Sequence, residues 1–437
     1  MYEIILGRRQ KDLDKYGTKG TIFLAKHYVT MEKVKSLANP VLLDVSRPHV
    51  ILIAGKRGEG KSYTMGVIAE GMTNLPPEVS ENIASLILDT MGIYWTLKFP
   101  NRRDFKLLEQ WGLEAKDYSD RCIVYVPYGF FEKLRAQNVP VDRPFSIATS
   151  ELNPSDWCVL MGVESTDPIG ILVERVITKM KKQGAFGIDE VIQAVEADEK
   201  ADNQTKLALI NKLDMIKEWG LFEKEGTKVD NLLERGKITV LDISYYTQVM
   251  GGFNLRALVI GIITKKILEH RTIARKIEEL SEIEGGFTAF GKRYKEQAKK
   301  EVPLVWIFLD EAHEFIPAKG KTLATDALVQ VIREGRQPGV SLVLASQQPG
   351  KLSGDVISQC DLVISHRVTS KEDINALNNI MQSYLPYALE RYISELPRLK
   401  GAAIALDDTQ ERIYPIQVRP RTSWHGGEEP IAISEEE

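Results

Sequence analysis

The sequence predicts an α/β protein with a mainly parallel sheet, a helical insertion and a small N-terminal β segment. Continuous apolar runs, typical of strands buried on both faces, recur along the chain. They lie at 49–54, 82–89, 122–126, 238–242, 304–309, 341–345 and 362–365. Helix-compatible stretches, such as the long one at Leu255–Leu280, separate several of these runs. Strands that alternate with helices indicate a parallel sheet covered on both faces.

The order and composition of these runs divide the chain into five segments. The first contains two short apolar runs between polar residues, glycine and proline, which predicts a reduced β segment. A charged stretch with helical periodicity predicts a helical subdomain inside the α/β core. The predicted segments are a β segment at 1–46, the core at 47–150 and 236–414, the helical subdomain at 151–235, and an extended tail at 415–437.

The composition indicates the cellular compartment of the protein and restricts the partners that it can bind. Of 437 residues, 43% are apolar and 27% are charged, as in globular proteins. A net charge of −4 means that any contact with nucleic acid is expected to be local. Three cysteines without metal-ligand spacing predict reduced thiols in a cytoplasmic protein. The N-terminal apolar stretch is too short for a signal peptide, and no run approaches a spanning helix, so no direct membrane insertion is expected.

A phosphate-binding loop follows the first long apolar run. Gly55–Ser62 reads G-K-R-G-E-G-K-S, which fits the pattern G-x-x-x-x-G-K-[ST]. Its glycines let successive backbone N–H groups point at one anion, and the helix that follows adds its positive N-terminus. Lys61 is expected to reach the β- and γ-phosphates of ATP, and Ser62 to bind Mg²⁺. The predicted nucleotide-binding residues are Gly55, Lys56, Arg57, Gly58, Glu59, Gly60, Lys61, Ser62 and Tyr63.

Two carboxylates end the apolar run at 304–309. In a RecA-like P-loop core, a buried parallel strand would present Asp310 and Glu311 beside the phosphate loop, where ligands bind. Asp310 would hold Mg²⁺, and Glu311 would accept a proton from the attacking water. A polar amide after the run at 341–345 could orient that water. An arginine between these two runs, Arg333 or Arg336, is either a trans-acting group or a solvated helix-end side chain.

These motifs together resemble the HerA–FtsK family of ring-forming, DNA-pumping ATPases, in particular its HerA-like branch. The motifs other than the phosphate loop are short. Their combination is specific to the family, whereas none of these short motifs is specific by itself. They are Ile87–Tyr94, Ile238–Ser244, Phe308–Pro317, Arg333–Arg336 running into Gly339–Gln347, Val418–Arg421 and His425–Gly427.

The resemblance implies a homo-hexamer with ATP sites between subunits and double-stranded DNA threaded through the ring. It implies Glu311 as catalytic base, Gln347 as sensor and Arg336 as the trans arginine, with Arg333 or Arg367 as substitutes. It also implies a partner nuclease of the NurA type. Only about 46 residues precede the phosphate-loop strand, so the small docking barrel of HerA-like proteins is expected to be reduced or missing, which argues against that partner. The family's D-P-x-G-E-Y has Ile93 in place of its glutamate.

Three functions remain open. The first is an ATP-driven DNA translocase or helicase in DNA-end processing or repair. Its pore would be lined by the basic segment Lys292–Lys300 or by Lys179–Lys182, although either could be a solvated charge run. The second is a motor ATPase of a conjugation, secretion or genome-packaging system. The third is a nucleotide-switched scaffold that hardly turns over.

Overall fold

The computed structural model describes residues 2–31, 34–249, 251–284, 302–380, 392–393 and 395–427. Within them, thirteen of fifteen strands form one sheet and two short strands pair separately. The strands are β1 (Ile4–Leu6), β2 (Thr21–Met31), β3 (Val34–Asp44), β4 (Val50–Ala54), β5 (Ile83–Asp89), β6 (Cys122–Pro127), β7 (Arg143–Phe145), β8 (Ile147–Ala148), β9 (Phe222–Glu223), β10 (Ile238–Asp242), β11 (Leu304–Leu309), β12 (Val340–Ser346), β13 (Leu362–His366), β14 (Ala402–Asp407) and β15 (Arg412–Val418).

The helices lie between these strands. The α-helices are Gln10–Tyr16, Lys61–Thr73, Pro77–Ser80, Phe105–Trp111, Tyr128–Ala136, Pro154–Met161, Pro168–Lys181, Ile188–Glu196, Asn203–Glu218, Val229–Leu232, Gly252–Glu284, Ala312–Phe315, Thr325–Glu334, Gly354–Ile357 and Lys371–Ile380. Short 3₁₀ turns span Tyr94–Lys98, Thr149–Glu151, Ser244–Gln248 and Pro349–Lys351. Within the described part of the chain, none of the helices combines the length and apolarity that crossing a bilayer requires.

The central part of the sheet is parallel, as the sequence predicts. Its order is β13-β4-β12-β11-β5-β10-β6-β7, and every neighbouring pair in this series is parallel. Most residues of these strands are buried, which is why they read as continuous apolar runs. Because the strands run the same way, they all end at one edge, called here the carboxyl edge, and begin at the amino edge.

The two ends of the chain extend this sheet with antiparallel strands. β14 pairs with β13, β15 with β14, β2 with β15, and β3 with β2, and β1 then lies parallel to β3. The N-terminal β segment is therefore continuous with the main sheet. Its strands β2 and β3 are longer than the apolar runs suggest, because backbone pairing between them continues through residues with polar side chains.

Helices between β8 and β9 form the helical region that the sequence periodicity predicts. Pro154–Met161, Pro168–Lys181, Ile188–Glu196 and Asn203–Glu218 enclose an apolar interior that includes Trp157. Of the two basic segments, Lys179–Lys182 lies at the end of the second of these helices, where Lys181 donates to the Leu152 carbonyl at 3.2 Å. The other, Lys292–Lys300, lies outside the described residues.

Candidate active site

The phosphate loop connects β4 to the helix Lys61–Thr73 at the carboxyl edge. Gly58 and Gly60 have φ of 80° and 113°, which favour glycine because a Cβ atom would strain this backbone. The Lys61 side chain is buried, and its Nζ donates to the Lys56 carbonyl at 3.3 Å. The loop therefore curls around the ammonium group on which the sequence interpretation depends.

Sheet order brings Asp310 to this loop. β11 and β4 lie on either side of β12, and Asp310 follows β11 at the same edge. Ser62 Oγ donates to Asp310 Oδ2 at 2.5 Å, and Tyr94 Oη donates to the same oxygen at 3.4 Å. The Ser62 hydroxyl and the Asp310 carboxylate thus place adjacent oxygen atoms at this edge, and oxygen is the donor atom that Mg²⁺ prefers. Among the described residues, no cluster of three or more His, Cys, Asp or Glu side chains could hold a metal ion.

Glu311 lies next to this pair in a conformation that non-glycine residues rarely adopt, with φ 50° and ψ 43°. Gln347, which follows β12, donates its amide N–H to Glu311 Oε1. The other carboxylate oxygen, Oε2, is buried without a hydrogen bond. His313 Nδ1 lies 3.5 Å from it, but burial lowers the pKa of His313, so the neutral ring forms no ion pair. One oxygen of Glu311 is therefore held by an amide and the other is free to accept a proton.

Burial determines the electrostatics of the site. Burial raises the pKa of Glu311, the neighbouring Asp310 raises it further, and the Gln347 hydrogen bond and Lys61 oppose the shift. Burial lowers the pKa of Lys61, while Glu311, Asp310 and Glu59 counteract it. Burial thus disfavours the charged form of both groups, and the opposite charge across the pocket offsets this effect only in part. This is the environment expected of a carboxylate that acts as a base.

The predicted arginines do not all lie at this pocket. Arg333 lies in the last turn of the helix Thr325–Glu334 and forms an exposed ion pair with Asp355 at 2.9 Å. Arg336 is exposed in the turn that leads into β12, which places both arginines at the amino edge. Arg367 follows β13 at the carboxyl edge, and its carbonyl accepts the Lys56 N–H at 3.0 Å. Of these three candidate arginines, Arg367 alone lies near the phosphate loop of its own chain, and the trans role of Arg336 stays a prediction.

A second pair of carboxylates lies beside the site and was not predicted. Asp89 and Asp242 end β5 and β10 in register and are buried. Asp89 accepts the N–H groups of Met91, Gly92 and Tyr94 at 3.0, 2.7 and 2.8 Å. Burial raises the pKa of both carboxyl groups, and the charge of Asp242 raises that of Asp89 further. The sequence signal was the same as for Asp310, an aspartate at the end of a buried strand.

The C-terminal residues pack on the phosphate-loop helix. Glu70, which is fully buried, accepts hydrogen bonds from Arg419 and Arg421, each at 3.2 Å. The backbone N–H groups of Thr422 and Ser423 donate to it at 3.0 and 3.1 Å. The motif around Arg419 and Arg421 therefore acts inside the fold, where it fixes the helix that carries Lys61 and Ser62.

The fold and the site define a P-loop ATPase with a large, mostly parallel sheet. The chain belongs to the HerA family: the family described as "Helicase HerA, central domain" matches residues 32–267, more than half of the chain. The description "Helicase HerA-like C-terminal" matches residues 291–403. The predicted resemblance is thus confirmed.

Individual relatives match shorter stretches. The probable DNA double-strand break repair helicase HerA of Methanocaldococcus jannaschii is 28% identical over 195 residues, covering 40% of this chain and 35% of that protein. The DNA double-strand break repair helicase HerA of Pyrococcus furiosus is 32% identical over 109 residues, covering 25% and 18%. The matched region thus spans about a third or less of these relatives.

A solved structure shares the fold over nearly the whole chain. VirB4 of Thermoanaerobacter pseudethanolicus superposes with a TM-score of 0.54 at 12% identity, covering 92% of this chain and 96% of that one. At this identity the likeness establishes the α/β architecture that the sequence predicts.

Proposed function

We propose that this chain is the ATP-hydrolysing subunit of a ring-shaped motor that moves duplex DNA, in DNA-end processing or repair. The observation that carries the proposal is the meeting of three groups at the carboxyl edge. These are the phosphate loop with Lys61, the Ser62–Asp310 oxygen pair, and Glu311 held by Gln347 with its second oxygen free.

The geometry supports a hydrolytic step in which each residue has one role. The loop N–H groups and the Lys61 ammonium bind the phosphates. Ser62 and Asp310 would hold Mg²⁺, which when bound neutralises phosphate charge. Gln347 orients the attacking water, and Glu311 Oε2 accepts its proton. The raised pKa of Glu311 makes it a better general base near neutral pH, because the carboxylate then binds a proton more strongly and is still ionised.

The position of the arginines supports a ring. Arg336 is exposed at the amino edge, so it cannot reach the phosphate loop of its own chain. In our proposal a neighbouring copy brings this arginine to the γ-phosphate, where charge develops during transfer. DNA as substrate is inferred from the similarity to the archaeal HerA proteins, which are described as DNA double-strand break repair helicases. With a net charge of −4, DNA contact would be confined to a local basic surface.

The test compares ATP turnover by the wild type, Glu311→Gln and Glu314→Gln with and without duplex DNA. Glu314 is the matched control, an exposed carboxylate three residues away. We expect Glu311→Gln to bind ATP but to lose turnover by about 10²–10⁴-fold, the range for removing a general base. Glu314→Gln should keep it.

Duplex DNA should stimulate the wild type, and the stimulation should fall steeply with salt. Turnover in Glu311→Gln equal to that of Glu314→Gln would contradict the assigned base. ATP turnover that duplex DNA does not stimulate at low salt would contradict DNA as the substrate, and would leave the ATPase assignment intact.

A further inference from the structure

His366 lies directly beneath the phosphate loop, although no sequence motif singles it out. It is the last residue of β13, the neighbour of β4, and it is fully buried. A Cβ atom added to Gly55 would lie 2.7 Å from the Cβ of His366, and one added to Gly60 would lie 3.5 Å from its Cε1. His366 therefore packs against both ends of the loop that surrounds Lys61, with its Cβ beside Gly55 and its imidazole beside Gly60.

The hydrogen bonds of His366 fix the position of its proton. Nδ1 lies 3.2 Å from the carbonyl oxygen of Ala402, and Nε2 lies 2.9 Å from Thr64 Oγ1. Burial lowers the pKa of His366 to about 4, so the ring is neutral near pH 7. A neutral imidazole has one donor and one acceptor, and a carbonyl can only accept. Nδ1–H therefore donates to Ala402, and Nε2 accepts the hydroxyl proton of Thr64.

Two backbone contacts reinforce this link. The Arg367 carbonyl accepts the Lys56 N–H at 3.0 Å, and the Gly401 N–H donates to the Glu59 carbonyl at 3.4 Å. Thr64 belongs to the first turn of the helix that begins at Lys61. Residues at the end of β13 and the start of β14 thus hold the beginning, the middle and the end of the phosphate loop.

We infer that His366 is a positioning residue for nucleotide binding: through Thr64 and the loop glycines it fixes the loop amides and Lys61 in the phosphate-binding arrangement. The inference rests on the proposed function. A glycine-rich loop without such support would have to be ordered by the ligand itself, and that ordering reduces affinity. The expected consequence of removing the support is therefore weaker ATP binding, with a smaller effect on the chemical step once ATP is bound.

The experiment uses the full chain and three variants, with a second buried histidine as control. His366→Leu removes the ring, Thr64→Val removes only the hydroxyl, and His366→Gln retains an oxygen that can accept from Thr64. The control is His49→Gln. His49 lies before β4 at the amino edge, is also buried, and hydrogen-bonds Asp361 through Nδ1 at 2.6 Å. The measurements are the Kd of a fluorescent ATP analogue, kcat and KM for ATP, and Tm.

We expect His366→Leu and Thr64→Val to raise Kd and KM about ten-fold, which corresponds to the loss of one buried hydrogen bond, with kcat reduced less. His366→Gln should restore most of the affinity. His49→Gln should lower Tm and leave Kd unchanged.

Three results would overturn the inference or its basis. Folded Thr64→Val and His366→Leu variants that bind the analogue as tightly as the wild type would overturn it. An equal loss of affinity in His49→Gln would also overturn it, because the effect would then reflect stability in general. A folded wild type that fails to bind the analogue would instead overturn the proposed ATPase function on which the inference rests.

Discussion

The buried charge cluster around Glu70 gives a prediction whose size can be worked out from the structure. Glu70 is completely buried in the last turn of the phosphate-loop helix and is paired with two buried guanidinium groups, those of Arg419 and Arg421. Burial alone would raise its pKa, but the two arginines and the hydrogen bonds from Ser423 and Thr422 outweigh burial and lower it. The carboxylate therefore stays charged in the folded protein.

Replacing Glu70 with glutamine keeps the side-chain shape and removes the charge. Two arginines then remain buried without a counter-charge, and breaking a buried pair in this way costs about 3–5 kcal/mol of the free energy of unfolding. The control is Glu78→Gln. Glu78 lies 3.9 Å from Lys19 in a well-exposed ion pair, which contributes about 0–1 kcal/mol.

The assay is urea unfolding of both variants between pH 3 and pH 7. A carboxyl group whose folded pKa is lowered stabilises the fold above its unfolded pKa of about 4.3, and this contribution is lost as pH falls through the folded value. The difference in the free energy of unfolding between the wild type and Glu70→Gln should therefore be largest near pH 7 and should decrease as the pH falls below about 4. A loss at pH 7 no larger than that of Glu78→Gln would refute the reasoning.

Two further predictions concern the nucleotide site. Gly60→Ala should weaken ATP binding, because the φ of 113° strains an alanine by about 1–3 kcal/mol. The control is Gly112→Ala, which has a φ of 66° and lies in open space away from the loop; it should lower the stability of the fold and leave ATP affinity unchanged. Unchanged ATP affinity in Gly60→Ala would contradict the loop assignment. The kcat should rise with pH through the raised pKa of Glu311, because this carboxyl group must be ionised to accept a proton. Gln347→Ala should move the midpoint of this pH dependence to higher pH, because the hydrogen bond that it removes stabilises the ionised form of Glu311. A kcat that falls with rising pH over this range would exclude Glu311 as the base.

The sequence was sufficient to predict the central sheet and to expect Ser62 and Asp310 at the same edge of it. Strands buried on both faces leave unbroken apolar runs, and a parallel arrangement places the ends of all such runs at one edge. For this reason Ser62 and Asp310 could be expected together, although 248 positions separate them along the chain. The roles assigned to these residues in hydrolysis stay predictions until turnover is measured.

The sequence could not predict contacts that depend on which strands are neighbours in the sheet, or contacts made by individual buried polar side chains. His366 follows an apolar run as any strand-end residue does, and its link to Thr64 becomes visible only when β13 is placed beside β4. Likewise, the position of Arg336 at the amino edge depends on the direction in which the helix Thr325–Glu334 returns across the sheet.

The phosphate-loop helix shows how the two ends of the chain contribute to the site. Gly66 and Gly71 lie inside this helix, where each costs about 1 kcal/mol relative to alanine. A Cβ atom on Gly66 would lie 2.7 Å from the guanidinium carbon of Arg421, and one on Gly71 would lie 2.9 Å from Ile22. The glycines therefore allow the C-terminal residues and β2 to approach the helix backbone closely. Arg419 also donates to the Phe23 carbonyl at 2.9 Å, so the C-terminal residues and β2 contact each other as well as the helix. The reduced helix propensity is thus offset by packing that fixes the element bearing Lys61 and Ser62.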